Sequence, residues 1–214
     1  MKLSSKLKVS AYKSATSPSC ETLAVIVTKR QNEMSNDQDI RLEKFSETDF
    51  DTLISWVKDE KELIQFAGPI FSFPLTKEQL HNYLADTKRH AFKIIHNDTN
   101  TTIGHCEAYK TDKQNSRLCR ILIGDKNFRG KGYGTLLTRI LTKWTFDNLQ
   151  ANFVDLNVYD FNTFAIKSYE SVGFKITAIN EMTTQVNNEN WTSYKMTVYR
   201  ENFFEKTRQK TTNS

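Results

Sequence analysis

The feature that most constrains this chain is a glycine cluster between a predicted strand and a predicted long helix. Only seven glycines occur among 214 residues, and three of them, Gly130, Gly132 and Gly134, fall within five positions. The apolar run at residues 121–123 precedes the cluster, and a helical pattern follows it from about residue 133 to 149. Such a loop gathers free main-chain N–H groups at the positive end of a helix, so it predicts an anion site.

The spacing of the glycines excludes two common phosphate loops. A Walker P-loop reads GxxxxGK followed by Ser or Thr, but here five residues separate Gly124 from Gly130, and Gly132 stands at the hydroxyl position. A dinucleotide fingerprint reads GxGxxG, whereas residues 130–134 read GxGxG. The pattern present is Arg-x-x-Gly-x-Gly, which begins at Arg129. Taken alone, the segment could also be a turn that serves only as a connection.

A second motif follows the next predicted strand, at residues 153–159. Asn162 opens a predicted helix, and Ala165, Ile166 and Tyr169 follow it at i+3, i+4 and i+7, on the same helix face. A Gly-Phe pair at residues 173–174 ends the helix. The whole segment reads Asn-x-x-Ala-x-x-x-Tyr-x-x-x-Gly-Phe.

The two motifs together resemble those of the GNAT superfamily of acetyl-CoA-dependent N-acetyltransferases, over about residues 40–200. In that family the first loop grips the pyrophosphate of coenzyme A. The second segment contacts the pantetheine arm and supplies a tyrosine beside the thioester. The loop without proline and the closing hairpin, with Trp191 and Met196, are similar to the branch of ribosomal-protein N-terminal and spermidine acetyltransferases.

The resemblance implies that acetyl-CoA is the co-substrate and that an acetyl group moves to a primary amine by direct attack in a ternary complex. The acceptor would be a small molecule or a protein N-terminus. A main-chain N–H near Ile123 would stabilise charge on the carbonyl oxygen, and Tyr169 would protonate the leaving thiolate. The alternative function is a non-catalytic acyl-CoA sensor with the same fold. The residues implied in cofactor binding are Leu122, Ile123, Arg129, Gly130, Lys131, Gly132, Tyr133, Gly134, Asn157 and Asn162.

The general base and the acceptor are less constrained by the sequence. Glu107 is the predicted base, since it precedes the cofactor strand and could point into the cleft; an ordinary solvent-facing acid is the alternative. His105 on the same strand face or a chain of waters could serve instead. Residues 60–83 and the final hairpin would select the acceptor. Acids at Glu60 and Glu62 could favour polyamines or could simply form a solvated helix face.

The order of hydrophobic patterns predicts one domain of α/β (α+β) class. It reads strand, helix, helix, three antiparallel strands, helix, strand, helix and two strands. With the family resemblance, this order predicts a single mixed, mostly antiparallel sheet with helices on both faces. One predicted helix has apolar residues at 50, 53, 54 and 57, and another opens with a capping box formed by Thr76 and Gln79.

The composition of the chain limits the classes of partner and cofactor that are expected. Residues 1–33 hold six bases and two acids, which leaves 24 bases and 23 acids from residue 34 on, so no broad basic surface for nucleic acid is expected. No run of about 18 apolar residues predicts a membrane span. Three cysteines without a paired spacing and four histidines without a metal-binding spacing predict a cytoplasmic protein without a catalytic metal. A homodimer is a candidate assembly.

The ends of the chain differ from its middle. Residues 1–33 are rich in Ser, Thr and Lys and keep no apolar period, so a disordered leader or a non-native upstream extension is expected. Met34 opens a segment that reads as a natural start, and the acetyltransferase domain is predicted over residues 34–204. Residues 205–214 are predicted as a polar, frayed tail.

Overall fold

The computed structural model of the protein describes residues 38–112, 114–186 and 189–212. The predicted leader, residues 1–33, lies outside these described residues. Within them, seven strands form one sheet, and six α-helices accompany it. The strands are β1 Ile40–Lys44, β2 Arg89–His96, β3 Thr101–Lys110, β4 Asn115–Ile123, β5 Phe153–Tyr159, β6 Lys175–Val186 and β7 Glu189–Tyr199. The helices are α1 Phe50–Trp56, α2 Glu60–Ala67, α3 Lys77–Leu84, α4 Tyr133–Leu149, α5 Thr163–Val172 and α6 Arg200–Thr212.

The strand order in the sheet is β1-β2-β3-β4-β5-β7-β6. All neighbouring strands are antiparallel except β4 and β5, which are parallel. Two hydrophobic clusters cover the sheet: one is formed with α4, α5 and α6, and the other with α1, α2 and α3. Ile121 and Ile123 pack on the first cluster and Leu122 on the second, because successive strand side chains point to opposite faces. The predicted fold class is thereby confirmed.

The parallel pair β4–β5 opens along its length. The two strands are in register at Asn115↔Phe153, Ser116↔Val154 and Arg117↔Asp155 only. Beyond these positions, β5 continues to pair with β7 through Tyr159, while β4 continues to pair with β3. The sheet therefore splits into two halves that diverge after Arg117, and this gap positions the site described below.

Local sequence signals account for most helix ends. The Thr76 hydroxyl accepts a hydrogen bond from the N–H of Gln79 (3.3 Å), which caps α3 as predicted. Asn162 caps α5 by accepting from the N–H of Ala165 (3.3 Å). Gly173 ends α5 with φ of 119°, a left-handed conformation that favours glycine.

Two helices differ from the sequence expectation. The first, α2, begins after the capping residue Asp59 and buries Leu63 and Ala67, but the predicted order of elements did not include it. The second, α6, runs from Arg200 to Thr212, so the tail predicted from residue 205 begins inside a helix. Its polar residues include good helix formers, and Phe203 at its start packs on Phe146 with ring centroids 5.5 Å apart. Among the described residues, no helix combines the length and apolar character that crossing a membrane requires.

Candidate active site

Two adjoining cavities lie at the gap between β4 and β5. The loop cavity, of about 730 Å³, is lined by Arg129, Gly130, Gly132 and Gly134 of the glycine loop and by α5. The hairpin cavity, of about 790 Å³, is lined by the end of α2, by β4 and β5, and by the β6–β7 hairpin. Both cavities share Gln65, Phe66, Ile121, Asn162 and Tyr169. A molecule in one cavity can therefore meet a molecule in the other beside these residues.

The glycine loop leaves a row of main-chain donors without acceptors. Gly130 and Gly132 have φ of 73° and 85°, which side chains rarely adopt, and Gly132 is the N-terminal cap of α4. A Cβ at Gly134 would meet no atom within 4 Å, so the space beside the backbone is open. Within the described part of the chain, the N–H groups of residues 130–134 have no recorded acceptor. Main-chain donors without acceptors at a helix N-terminus are suited to an anion such as the pyrophosphate of coenzyme A.

The charged and aromatic residues of the loop take different positions. The Arg129 Nε donates to the carbonyl of Ile123 (2.8 Å), which ties the loop to the end of β4. The Tyr133 hydroxyl lies 3.0 Å from the Nε2 of His96, so its side chain packs toward β2. Neither Lys131 nor Tyr133 is part of the loop-cavity lining. The structure therefore does not bring these two predicted cofactor residues into the lining of the loop cavity.

The main chain at Ile123 faces the gap. The N–H of Gly124 donates to the carbonyl of Ile103 on β3 (2.9 Å). Since hydrogen bonding alternates along an antiparallel strand, the N–H and C=O of Ile123 point to the other edge, where β5 has diverged. The bond from Arg129 to that carbonyl lies on the same edge. Both Leu122 and Ile123 line the loop cavity.

Tyr169 lies on α5 where the cavities meet. It is 9% exposed, and burial raises the pKa of its phenol to about 12. Its hydroxyl makes no hydrogen bond within the described residues, while its ring lies 6.2 Å from that of Phe174. Asn162 lines both cavities in addition to capping α5, and Asn157 is exposed in the hairpin cavity. The structure therefore brings Tyr169, Asn162 and Ile123 together around one gap.

Glu107 is enclosed by donors. One carboxylate oxygen accepts from the Nη1 of Arg89 (3.0 Å) and the Nη2 of Arg120 (2.8 Å). The other accepts from the Tyr83 hydroxyl (2.5 Å) and the Nε of Arg120 (2.5 Å). Glu107 is 0% exposed and lines neither cavity. These four bonds occupy the lone pairs of the carboxylate, so the geometry contradicts the general-base role expected from the sequence.

His105 also lies outside the lining of both cavities. Burial, and then the positive charge of Arg120, lower the pKa of its imidazole to about 3. It lies among the rings of Phe45 and Phe66, and its Nε2 lies 3.3 Å from the Tyr83 hydroxyl. Since neither cavity includes it, His105 does not replace Glu107 as a base.

A β-bulge in β4 accounts for part of this arrangement. Glu107 is opposite Cys119 and His105 is opposite Leu122, so β4 holds one residue more than β3 over this stretch. Arg120 lies in the bulge with φ of 51°, and its guanidinium binds Glu107. Bulges re-aim side chains and bend strands. The pattern of apolar residues in β4 carried no sign of this extra residue, so the sequence reasoning missed Arg120.

The hairpin cavity also contains cations that sequence reasoning missed. Arg117 on β4 and Lys195 on β7 both bind the buried carboxylate of Asp155 on β5. The Arg117 Nη2 and the Lys195 Nζ each lie 3.1 Å from an Asp155 oxygen. Arg89, Arg117, Arg120 and Lys195 all line this cavity. The sequence signal that could have revealed these cations is the presence of charged residues within predicted strands. Within the described residues, no group of three or more His, Cys, Asp or Glu could hold a metal ion.

Comparison with known proteins agrees with this geometry. Residues 39–175 match the family described as Acetyltransferase (GNAT) domain. A spermidine N-acetyltransferase from Vibrio cholerae, solved with CoA and spermine, superposes with a TM-score of 0.67 at 16% identity, covering 78% of this chain and 98% of that chain. An acetyltransferase (GNAT family) from Bacillus anthracis superposes with a TM-score of 0.62 at 17% identity, covering 77% of this chain and 96% of that chain. At these identities the structures establish a shared fold.

Proposed function

The chain belongs to the acetyltransferase (GNAT) domain family and is an acetyl-CoA-dependent N-acetyltransferase, and we propose that a primary amine in the hairpin cavity attacks the acetyl group directly. The observation that carries the proposal is the open glycine loop beside the gap between β4 and β5. The N–H groups of Gly130, Gly132 and Gly134 have no acceptor within the described residues and adjoin a cavity that reaches Tyr169. Acetyl-CoA supplies the acetyl group as a reactive thioester.

The glycine loop and the facing edges of β4 and β5 together determine how the co-substrate binds. The N–H groups of the glycine loop bind the pyrophosphate, since donors at a helix N-terminus favour anions. The gap between β4 and β5 receives the pantetheine arm, with Asn157 and Asn162 along its β5 side. Arg129 holds the loop against the end of β4 through its bond to Ile123.

The protein assists the transfer at two atoms. The N–H of Ile123, directed into the gap, donates to the carbonyl oxygen as negative charge develops there. The Tyr169 hydroxyl donates to the departing sulfur. With a pKa of about 12, this phenol holds its proton at neutral pH. It therefore donates a hydrogen bond to the sulfur as negative charge develops there, and the released thiolate takes its proton from water.

The acceptor loses its proton without a dedicated base. Among the described residues, the hairpin-cavity lining has no carboxylate or imidazole. Its four cations disfavour an ammonium ion and so lower the pKa of a bound amine. A larger neutral fraction is then ready to attack, and its proton leaves to water.

Direct attack is supported by the state of the cysteine in the same cavity. Cys119 lines the hairpin cavity, and burial raises the pKa of its thiol to about 12. A protonated thiol is a poor nucleophile, so an acyl-cysteine step is not part of this proposal. A cytoplasmic location and a homodimer remain predictions from the sequence; one neighbour of the same fold, from Vibrio cholerae, is described as dodecameric.

The test is to incubate the protein with acetyl-CoA and a panel of primary amines and measure both products. We expect coenzyme A and an N-acetylated amine to form in equal amounts. A reaction without amine measures hydrolysis, and tertiary amines serve as matched acceptors that cannot give the amide. Tight binding of acetyl-CoA with no acetylated product from any amine would instead support an acyl-CoA sensor.

A further inference from the structure

The hairpin cavity is lined by positive charge. Its cationic side chains are Arg89, Arg117, Arg120 and Lys195, and within the described residues no Asp or Glu side chain is part of the lining. Its other polar side chains include Asn157, Asn180 and Thr184, which are neutral. An ammonium-rich molecule such as a polyamine would meet like charge throughout this cavity.

The strand register places three of these cations, Arg89, Arg117 and Lys195, on one face of the sheet. Arg89 on β2 is opposite Tyr109 on β3, which is opposite Arg117 on β4, which is opposite Asp155 on β5. Directly opposite residues share a face. Lys195 on β7 is opposite Asn157, two residues beyond Asp155, so it lies on that face as well.

The buried carboxylates balance only part of this charge. Glu107 is shared by Arg89 and Arg120, and Asp155 is shared by Arg117 and Lys195. Each carboxylate thus binds two cations. Asp86 adds a further pairing 3.3 Å from the Nε of Arg89. A net positive potential therefore remains on the cavity floor.

Some donors on that floor remain available. Within the described part of the chain, the Nη1 of Arg117 has no recorded acceptor, and Asp155 binds its other two nitrogens. The Lys195 Nζ has Asp155 as its recorded partner. Both side chains are about one third exposed, at 33% and 34%. They can therefore donate charge-assisted hydrogen bonds to a ligand without leaving Asp155.

We propose that the acceptor is a primary amine on a molecule that also carries a carboxylate, and that Arg117 and Lys195 bind that carboxylate. The inference rests on the proposed function and specifies its substrate class. Glu62 is an acid in the lining of the loop cavity, which is the co-substrate side of the gap. Its Oε2 accepts a hydrogen bond from the N–H of Lys58. The carboxylate would fix the acceptor so that its amine reaches the gap beside Tyr169.

The experiment compares acceptors that share one amine and differ at the other end. The central set is 4-aminobutanoate, butylamine and 1,4-diaminobutane, with shorter and longer homologues of each. A second arm compares tripeptides that differ only in an acidic or basic first side chain, which separates small molecules from peptide N-termini. We expect kcat/KM to be at least tenfold higher for the carboxylate member, since one charge-assisted hydrogen bond is worth about 1.5 kcal/mol or more.

Lys195→Gln tests the residue assignment. Asp155 keeps Arg117 in this variant, so the fold should survive. We expect the preference for the carboxylate acceptor over butylamine to fall about tenfold through KM, and Lys195→Arg to restore much of it. Lys143→Gln is the matched control, because Lys143 also pairs with an aspartate, Asp147, but lines neither cavity.

The outcomes separate this inference from the proposed function. Faster acetylation of diamines or butylamine than of the carboxylate members would overturn the inference and leave the proposed function intact. An unchanged preference in folded Lys195→Gln would also overturn it. Absence of acetyl transfer to every member of the panel would contradict both.

Discussion

Replacing Tyr169 with phenylalanine removes one hydroxyl and keeps the ring. The hydroxyl makes no hydrogen bond within the described residues, so no donor or acceptor loses its partner in the variant. The ring remains against Phe174 in the buried cluster of α5 and the sheet. We therefore expect the melting temperature of Tyr169→Phe to stay close to that of the unaltered protein.

The expected loss in rate follows from the acidity of the phenol. Burial raises its pKa to about 12, which is about 3.5 units above an ordinary thiol. Complete proton transfer to a free thiolate would therefore be uphill, and the phenol acts mainly by hydrogen bonding to the sulfur as charge develops. General acids contribute about 10²–10⁴-fold. Because the pKa is raised, we expect kcat to fall by about 10²-fold, near the lower end of this range.

The assay follows coenzyme A release at several acetyl-CoA concentrations. The KM for acetyl-CoA should change little, because the lost interaction strengthens only in the transition state. Tyr199→Phe is the matched control, since Tyr199 is 52% exposed and lines neither cavity, and its kcat should be unchanged. A raised KM with an intact kcat in Tyr169→Phe would refute the reasoning and make Tyr169 a binding residue.

Three further predictions concern the loop, the buried ion pair and the pH dependence. Gly134→Val places a branched side chain in the open space beside the loop. Calorimetry should therefore show at least tenfold weaker coenzyme A binding in a folded protein. Unchanged affinity would exclude the glycine loop as the binding site of the pyrophosphate. Glu107→Gln leaves Arg89 and Arg120 without their buried counter-charge, and denaturant unfolding should show a loss of about 3–5 kcal/mol; a stable variant with low kcat would restore the general-base role. His105 has a pKa lowered to about 3, so it is uncharged when folded and takes up a proton on unfolding near pH 6.5. Stability is therefore fully present above about pH 6.5 and falls toward pH 3, and this acid loss should be smaller in His105→Asn.

The sequence predicted the parts of the fold that depend on local signals. The bounds of α4 agree with the helical pattern after the glycine loop, and Thr76 and Asn162 cap the helices they were expected to cap. These features arise from residues a few positions apart. The motif residues Ile123, Gly132 and Tyr169 also converge on one gap, because β4 and β5 are parallel and the glycine loop and α5 follow them at the same end of the sheet.

The features that were missed depend on contacts between distant strands. Glu107 was predicted as a base because its partners Arg89 and Arg120 lie on other strands, where the sequence does not reveal the contact. Arg120 reaches Glu107 from a bulge in β4. The pairing of Arg117 and Lys195 with Asp155 likewise requires the register of three strands. Charge patterns along one strand do not specify such register, so the cationic cavity was not predictable.

In the proposed complex, the gap between β4 and β5 holds the thioester between the N–H of Ile123 and the hydroxyl of Tyr169. A crystal structure of the protein with coenzyme A tests it most directly. We expect the pyrophosphate on the N–H groups of residues 130–134 and the sulfur within hydrogen-bond distance of the Tyr169 hydroxyl. A sulfur outside the gap, or a pyrophosphate bound away from the glycine loop, would contradict it.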